Sequence, residues 1–309
     1  MDNADNLNVM QKKIIEIKKQ KNAVILAHFY QTMDIQQIAD HVGDSFELAK
    51  RAKSAGENLI VFCGVKFMAE SAKLLSPHKK VMLPRTDAGC PMADMLTPEI
   101  VRNLRKNHPD AAVVCYINSS AETKAECDIC CTSANAVNIA KNIDADEIIF
   151  VPDKNLGAYV AKFVPEKKFI FMDGYCPIHK NITVKQTLAK KQEFPNAKFA
   201  VHPECEQDVL NLADFVGSTS KILDYCINSD DSEFIIGTEQ GVVDRLRFYN
   251  PDKKYHILSP EFICSDMKKT TLEDVYNCLA NESAENIVEL PEDIIDRANV
   301  PLEKMLELG

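Results

Sequence analysis

Three stretches of this chain, AVILAHFY (23–30), AVVCYINS (112–119) and KFAVHPEC (198–205), are apolar runs that each end in polar, chemically capable side chains. His28, Tyr116 and His202 hold matching places in them, 88 and 86 residues apart. Each run is followed by a helical pattern, a further strand-like run, another helix, and a last run that closes on a cysteine. These endings are LPRTDAGC at Cys90, MDGYC at Cys176 and SPEFIC at Cys264, spaced 86 and 88 residues apart. Two unrelated features sharing one period predict three similar units of about 85 residues, longer than solenoid repeats and in the range of small domains.

Val/Ile/Phe-rich runs alternating with helical patterns are the mark of parallel strands joined by helices, so the class is α/β, with three similar three-layer, parallel-sheet units. The expected division is 1–105 with an N-terminal helix, 106–190, 191–268, and C-terminal helices over 269–309 that pack back on the body. The third unit is expected to carry an extra strand and helix, EFIIGTEQGVVDRL. SFELAKRAKSAG (45–56) reads as a helix stopping at Gly56, and Thr270 with Glu273 as a capping box opening TLEDVYNCLAN.

Charge narrows the choice of partner. Over 309 residues, 36 Lys plus Arg face 46 Asp plus Glu, a net charge of −10. With no basic patch to offset it, nucleic acid and anionic membrane surfaces are disfavoured and a small-molecule partner is expected. The N-terminal MDNADNLNVMQKKIIEIKKQ begins acidic and continues as an amphipathic helix without the apolar core of a signal peptide, which predicts the cytosol. No apolar stretch approaches the ~20 residues of a membrane span. An odd count of 11 cysteines in such a chain argues for thiols or metal ligands rather than a disulfide framework.

Ligands of open parallel sheets bind beyond the carboxyl ends of the strands. His28, Tyr30, Tyr116, Asn118, His202, Glu204, Ser218, Thr219 and the three repeat cysteines all fall at such ends. If the units surround an approximate threefold axis, each contributes one thiolate to a common centre. Three thiolates suit zinc; they also suit a [4Fe–4S] cube, leaving one iron open to act as a Lewis acid. HPE (202–204) places an imidazole and a carboxylate on one side of an extended segment, as Tyr30 sits with His28 and Asn118 with Tyr116. CDICC, with Cys127, Cys130 and Cys131, is a second thiol cluster. It leads into a helical pattern at TSANAVNIAKNI, where Thr132 or Ser133 would be the cap. Cys63, Cys115, Cys226 and Cys278 read as buried hydrophobes, and His41, His78, His108 and His256 as surface or packing residues.

In order along nearly the whole chain, AHFYQ, GDSFELAKRA, FCGVKFMAE, LPRTDAGCPMAD, CYINSSAETKAECDICCTSANAV, DGYCPIH, VHPEC, GSTSKI and CSDMKKTTLEDV resemble the quinolinate synthases, iron–sulfur enzymes of NAD biosynthesis. The resemblance implies three α/β domains about a pseudo-threefold axis and one [4Fe–4S] cluster on Cys90, Cys176 and Cys264. It implies condensation of iminoaspartate with dihydroxyacetone phosphate to quinolinate. His28, Ser45, Tyr116, Ile117, Asn118, Ser133, His202, Pro203, Glu204 and Thr219 match substrate-holding positions. Tyr30 and Glu204, with His202, match catalytic ones, and Met68 and His179 match motif positions. An aspartate oxidase or dehydrogenase that supplies the unstable imine is the implied functional partner. The C-terminal C-x-x-C of some members is missing, since only Cys278 follows Cys264. Two other readings stay open at this point: a structural zinc or ligand-binding module, and a thiol redox protein using Cys127, Cys130 and Cys131.

Overall fold

The computed structural model describes residues 7–309; the acidic start at 1–6 lies outside the described residues. Among the described residues twelve strands form three four-stranded parallel sheets. The first holds β1 (Ala23–His28), β2 (His41–Gly43), β3 (Leu59–Cys63) and β4 (Lys80–Met82). The second holds β5 (Ala112–Tyr116), β6 (Ile129–Cys131), β7 (Glu147–Val151) and β8 (Lys168–Phe171). The third holds β9 (Lys198–Val201), β10 (Phe215–Val216), β11 (Glu233–Gly237) and β12 (Lys254–Ile257). All three have the order second-first-third-fourth. The chain steps to one side of the first strand, then crosses back to its other side, and this reversal opens a crevice at the carboxyl ends.

The third unit therefore carries no extra strand, which corrects the expectation from EFIIGTEQGVVDRL. β11 is the counterpart of β3 and β7, and the strands absent from the sequence reading are β2 and β6. Each is three residues long and lies at a sheet edge, too short to display a periodicity.

Continuous apolar runs arise because the strands are covered on both faces. In the first sheet Ile25, Ala27, Val61 and Cys63 pack with Ile14 and with Val275 and Leu279 of the helix Leu272–Asn281. Val24, Leu26, Ile60 and Phe62 face the other way, into a core shared with the second unit. The helix Glu292–Leu308 packs over that same region, against β6 and the helices Lys66–Leu75 and Ala121–Lys124.

A polar brace recurs with the repeat. Asp40, Asp128 and Asp214 stand at the entry to the second strand, and their carboxylates accept the N–H of Ile25, Val113 and Phe199 at 2.8, 2.7 and 2.8 Å. Their own N–H groups donate back to the same three residues. Lys18, Arg105 and Lys191, from the helix before each first strand, reach these acids at 2.8, 2.8 and 3.9 Å. The brace fixes the register of an edge strand whose few ladder bonds specify it weakly.

Two helix boundaries differ from expectation. The capping box before Leu272 is made by Thr271 and Asp274, one residue beyond the expected pair, and Thr270 is buried. The helix Ser45–Ser54, capped reciprocally by Asp44 and Glu47, ends before Gly56 because Ala55 is already extended. Among the described residues no helix is long and apolar enough to cross a membrane.

Candidate active site

The ladders show why the repeat converges on one place. Ala27–Cys63, Cys115–Val151 and Val201–Gly237 are the last pairs between first and third strands. The residues that follow, His28, Tyr116 and His202, are therefore structural equivalents. Two residues on stand Tyr30, Asn118 and Glu204; beyond the second strands stand Ser45, Ser133 and Thr219. All nine line a single cavity together with Cys90, Cys176, Cys264 and His179. Asn118 Oδ1 is buried there without a partner, a polar atom suited to a ligand donor.

Of the remaining candidates, Ile117 and Pro203 are buried and their side chains do not line this cavity. Met68 lies behind it with Ile117, Phe62 and Ser71. Neither Thr132 nor Ser133 caps a helix, because the helix runs Ala136–Asn142 with Asn135 at its cap position. Asn135 Oδ1 instead accepts the N–H of Thr132 at 2.7 Å, which leaves the Ser133 hydroxyl free to meet His202 Nε2 at 3.1 Å.

Hydrogen bonds settle the histidine tautomers. His28 Nδ1 accepts the N–H of Tyr30 at 3.1 Å, and His202 Nδ1 that of Glu204 at 3.4 Å. The proton of each neutral ring therefore sits on Nε2. Burial lowers the pKa of His28 to about 3, helped by Lys268 and His202. Burial also takes His202 down to about 4, with Glu204 opposing and His179 assisting. Both rings are uncharged at neutral pH.

Glu204 behaves differently. Burial pushes its carboxyl up, but His202, His179 and hydrogen bonds from His179 and Tyr116 outweigh it and bring the pKa to about 2. The Tyr116 hydroxyl donates to Oε1 at 2.7 Å, and His179 Nδ1 lies 2.7 Å from Oε2. Burial and the Glu204 charge together hold the phenols of Tyr30 and Tyr116 above their ordinary range.

A continuous polar chain joins these groups. Tyr30 Oη lies 2.9 Å from Thr238 Oγ1 and 3.2 Å from Thr219 Oγ1, and Thr238 Oγ1 lies 3.0 Å from His179 Nε2. The path Tyr30–Thr238–His179–Glu204–Tyr116 links all three units. Thr238, absent from the sequence-based candidates, is fully buried and does not itself line the cavity. Its one signal was a polar residue ending the apolar run EFIIGT.

Among the eleven cysteines, Cys90, Cys176 and Cys264 are the partly exposed ones, and the other eight are buried. Each begins the same turn: the N–H of Asp94, Lys180 and Lys268 donates to the carbonyl of Cys90, Cys176 and Cys264. Burial pushes Cys90 up to about 12 and raises Cys176 and Cys264 as well. The backbone of the turn that follows each cysteine, around Ala93, His179 and Met267, opposes that rise, and His179 Nδ1 lies 3.3 Å from Cys176 Sγ. Three cysteines lining one cavity, one from each unit, fit thiolates that a bound metal would keep deprotonated. Ligand atoms of Cys176, His179 and Glu204 also lie within 4.8 Å of one another, a grouping that could hold a metal ion. Cys127, Cys130 and Cys131 are buried and take no part in the cavity.

Comparison with known proteins identifies the family. The sequence model of the family described as quinolinate synthetase A protein matches residues 12–307. A quinolinate synthase of Caldicellulosiruptor bescii is 52% identical over 304 residues, covering 98% of this chain and 100% of its own. One from Clostridioides difficile is 50% identical over 297 residues (96% and 97%), and one from Aquifex aeolicus is 50% identical over 312 residues (99% and 96%). With matches that run nearly end to end and a cavity shared by all three repeats, the chain belongs to the quinolinate synthase family.

Proposed function

We propose that this enzyme condenses iminoaspartate with dihydroxyacetone phosphate to quinolinate, with loss of phosphate and water, and that Cys90, Cys176 and Cys264 hold one [4Fe–4S] cluster per chain. The observation that carries the reading is the meeting of three partly exposed cysteines, one from each unit, with an acid–base chain at one cavity. Such a cluster, when bound, supplies a Lewis-acidic iron free of protein ligand.

The protein's own groups divide the remaining work. Both substrates are anionic, and the Nε2–H groups of His28 and His202, the hydroxyls of Ser45, Ser133 and Thr219, and the Asn118 amide form a neutral set of hydrogen-bonding groups for carboxylate and phosphate oxygens. Keeping both histidines uncharged avoids the cost of burying cations in the cavity. Glu204, ionised at neutral pH, is the proton acceptor; Tyr30 and Tyr116, whose phenols stay protonated, are donors. Because Tyr30 reaches Glu204 through Thr238 and His179, a proton given up at Tyr30 Oη is replaced along hydrogen bonds without admitting solvent. The aldose–ketose shift and the dehydration both need such paired proton movements.

Iminoaspartate hydrolyses readily, so an aspartate oxidase or dehydrogenase is the expected supplier, and we place the enzyme in the cytoplasm with it. The test is direct: anaerobically reconstituted protein given dihydroxyacetone phosphate and freshly generated iminoaspartate forms quinolinate, detected chromatographically. Iron-loaded protein that makes none would overturn the assignment.

A further inference from the structure

The three cysteine loops are built alike but are not held alike. In every unit the N–H that opens the helix after the third strand, from Lys66, Lys154 or Gln240, donates to the carbonyl two residues before the cysteine, on Ala88, Gly174 or Phe262. The residue just ahead of that N–H is Val65, Asp153 or Glu239, equivalent positions two beyond the last ladder pairs. In the second and third units it is an acid with no exposed surface. Asp153 accepts the N–H of Leu156 at 2.7 Å through one oxygen and that of Cys176 at 3.1 Å through the other. Glu239 accepts Gly241 at 2.6 Å and Cys264 at 3.3 Å in the same divided way, with Lys268 Nζ 3.0 Å from its carboxylate. The first unit has Val65 there, and its loop is held from outside: Gly89 donates to Asp266 at 3.1 Å, two residues past Cys264. Burial raises both acids, and the backbone donors, the cysteine N–H among them, oppose it.

We propose that Asp153 and Glu239 are positioning residues for the metal centre, each tying a helix start to a cysteine N–H and so fixing the Cys176 and Cys264 sulfurs before metal arrives. The inference rests on the reading that those cysteines hold the cluster. Capping the helix needs only one oxygen; the second, spent on the cysteine, has no structural duty in the helix itself. A carboxylate serves both donors, whereas an amide accepts through one oxygen and turns its own N–H groups toward the other. Partners of metal ligands at this remove typically change metal affinity by about 10–100-fold.

The experiment uses full-length protein reconstituted anaerobically with ferrous iron and sulfide, and measures iron per chain and the rate at which a chelator strips it. Asp153→Asn and Glu239→Gln are expected to release iron about tenfold faster than wild type. Asp153→Ser keeps a helix cap but is too short to reach Cys176, so it isolates the second oxygen and is expected to release iron as fast as Asp153→Asn. Asp214→Asn, which breaks a brace away from the cysteine loops, is expected to lower the melting temperature without changing iron release. Wild-type release from both Asp153 variants and from Glu239→Gln, or equal acceleration in Asp214→Asn, overturns the inference. Cys176→Ala retaining a full iron complement would instead remove the reading on which it rests.

Discussion

Tyr116 and Glu204 stand 2.7 Å apart across two units, phenol oxygen to carboxylate oxygen, and the phenol supplies one of the hydrogen bonds that keep a fully buried carboxylate ionised. A hydrogen bond to a buried charge contributes roughly 1.5–3 kcal/mol. Tyr116→Phe removes it, so the Glu204 pKa must rise. Activity that requires ionised Glu204 then fails at higher pH than before, and the acid limb of the kcat profile moves up by about one to two pH units. An acid limb that stays in place would show that Tyr116 does not hold Glu204's charge.

Thr238 touches Tyr30 and His179 and lines no part of the cavity. Thr238→Val keeps the shape and deletes the hydroxyl, cutting the path from Tyr30 to Glu204. The expected result is a fall in kcat of about tenfold or more with little change in KM, and recovery in Thr238→Ser. Iron content is expected to stay at the wild-type level. A variant with unchanged kcat would remove Thr238 from proton transfer.

How much of this was legible beforehand depends on length scale. His28, Tyr116 and His202 could be aligned from spacing because the first strand of each unit is a long apolar run with a polar end. β2 and β6 could not, since three residues at an edge carry no pattern and are fixed by Asp40 and Asp128 reaching back to Ile25 and Val113. Those aspartates also recur with the period, but an acid before a short strand looks like any loop residue until its partner is seen. Thr238 and the two-directional carboxylates of Asp153 and Glu239 were hidden for a related reason. They act on neighbours distant in sequence and present nothing to the solvent.

Cys90, Cys176 and Cys264 differ from the other cysteines in being partly exposed and in lining the one cavity shared by all three units. Replacing any one with Ala is expected to abolish the visible absorbance of anaerobically prepared protein. A single variant that kept a full cluster would strike that cysteine from the ligand set. Colourless, air-stable wild-type protein carrying stoichiometric zinc would replace the cluster with a zinc site.

Acid should loosen the fold through the buried imidazoles. His28 and His202 have pKa values of about 3 and about 4 against 6.5 for the free side chain. Between those limits the unfolded chain binds more protons than the folded one, so stability rises with pH. The histidine contribution is complete above about pH 6.5 and is lost as pH falls toward 4 for His202 and 3 for His28. Denaturation midpoints measured from pH 7.5 to 5 are therefore expected to fall on acidification. His28→Gln has no imidazole to protonate, so its midpoint should fall less steeply over the same range. A variant as acid-sensitive as wild type would mean that the ring is already charged in the folded protein, contrary to its burial beside Lys268.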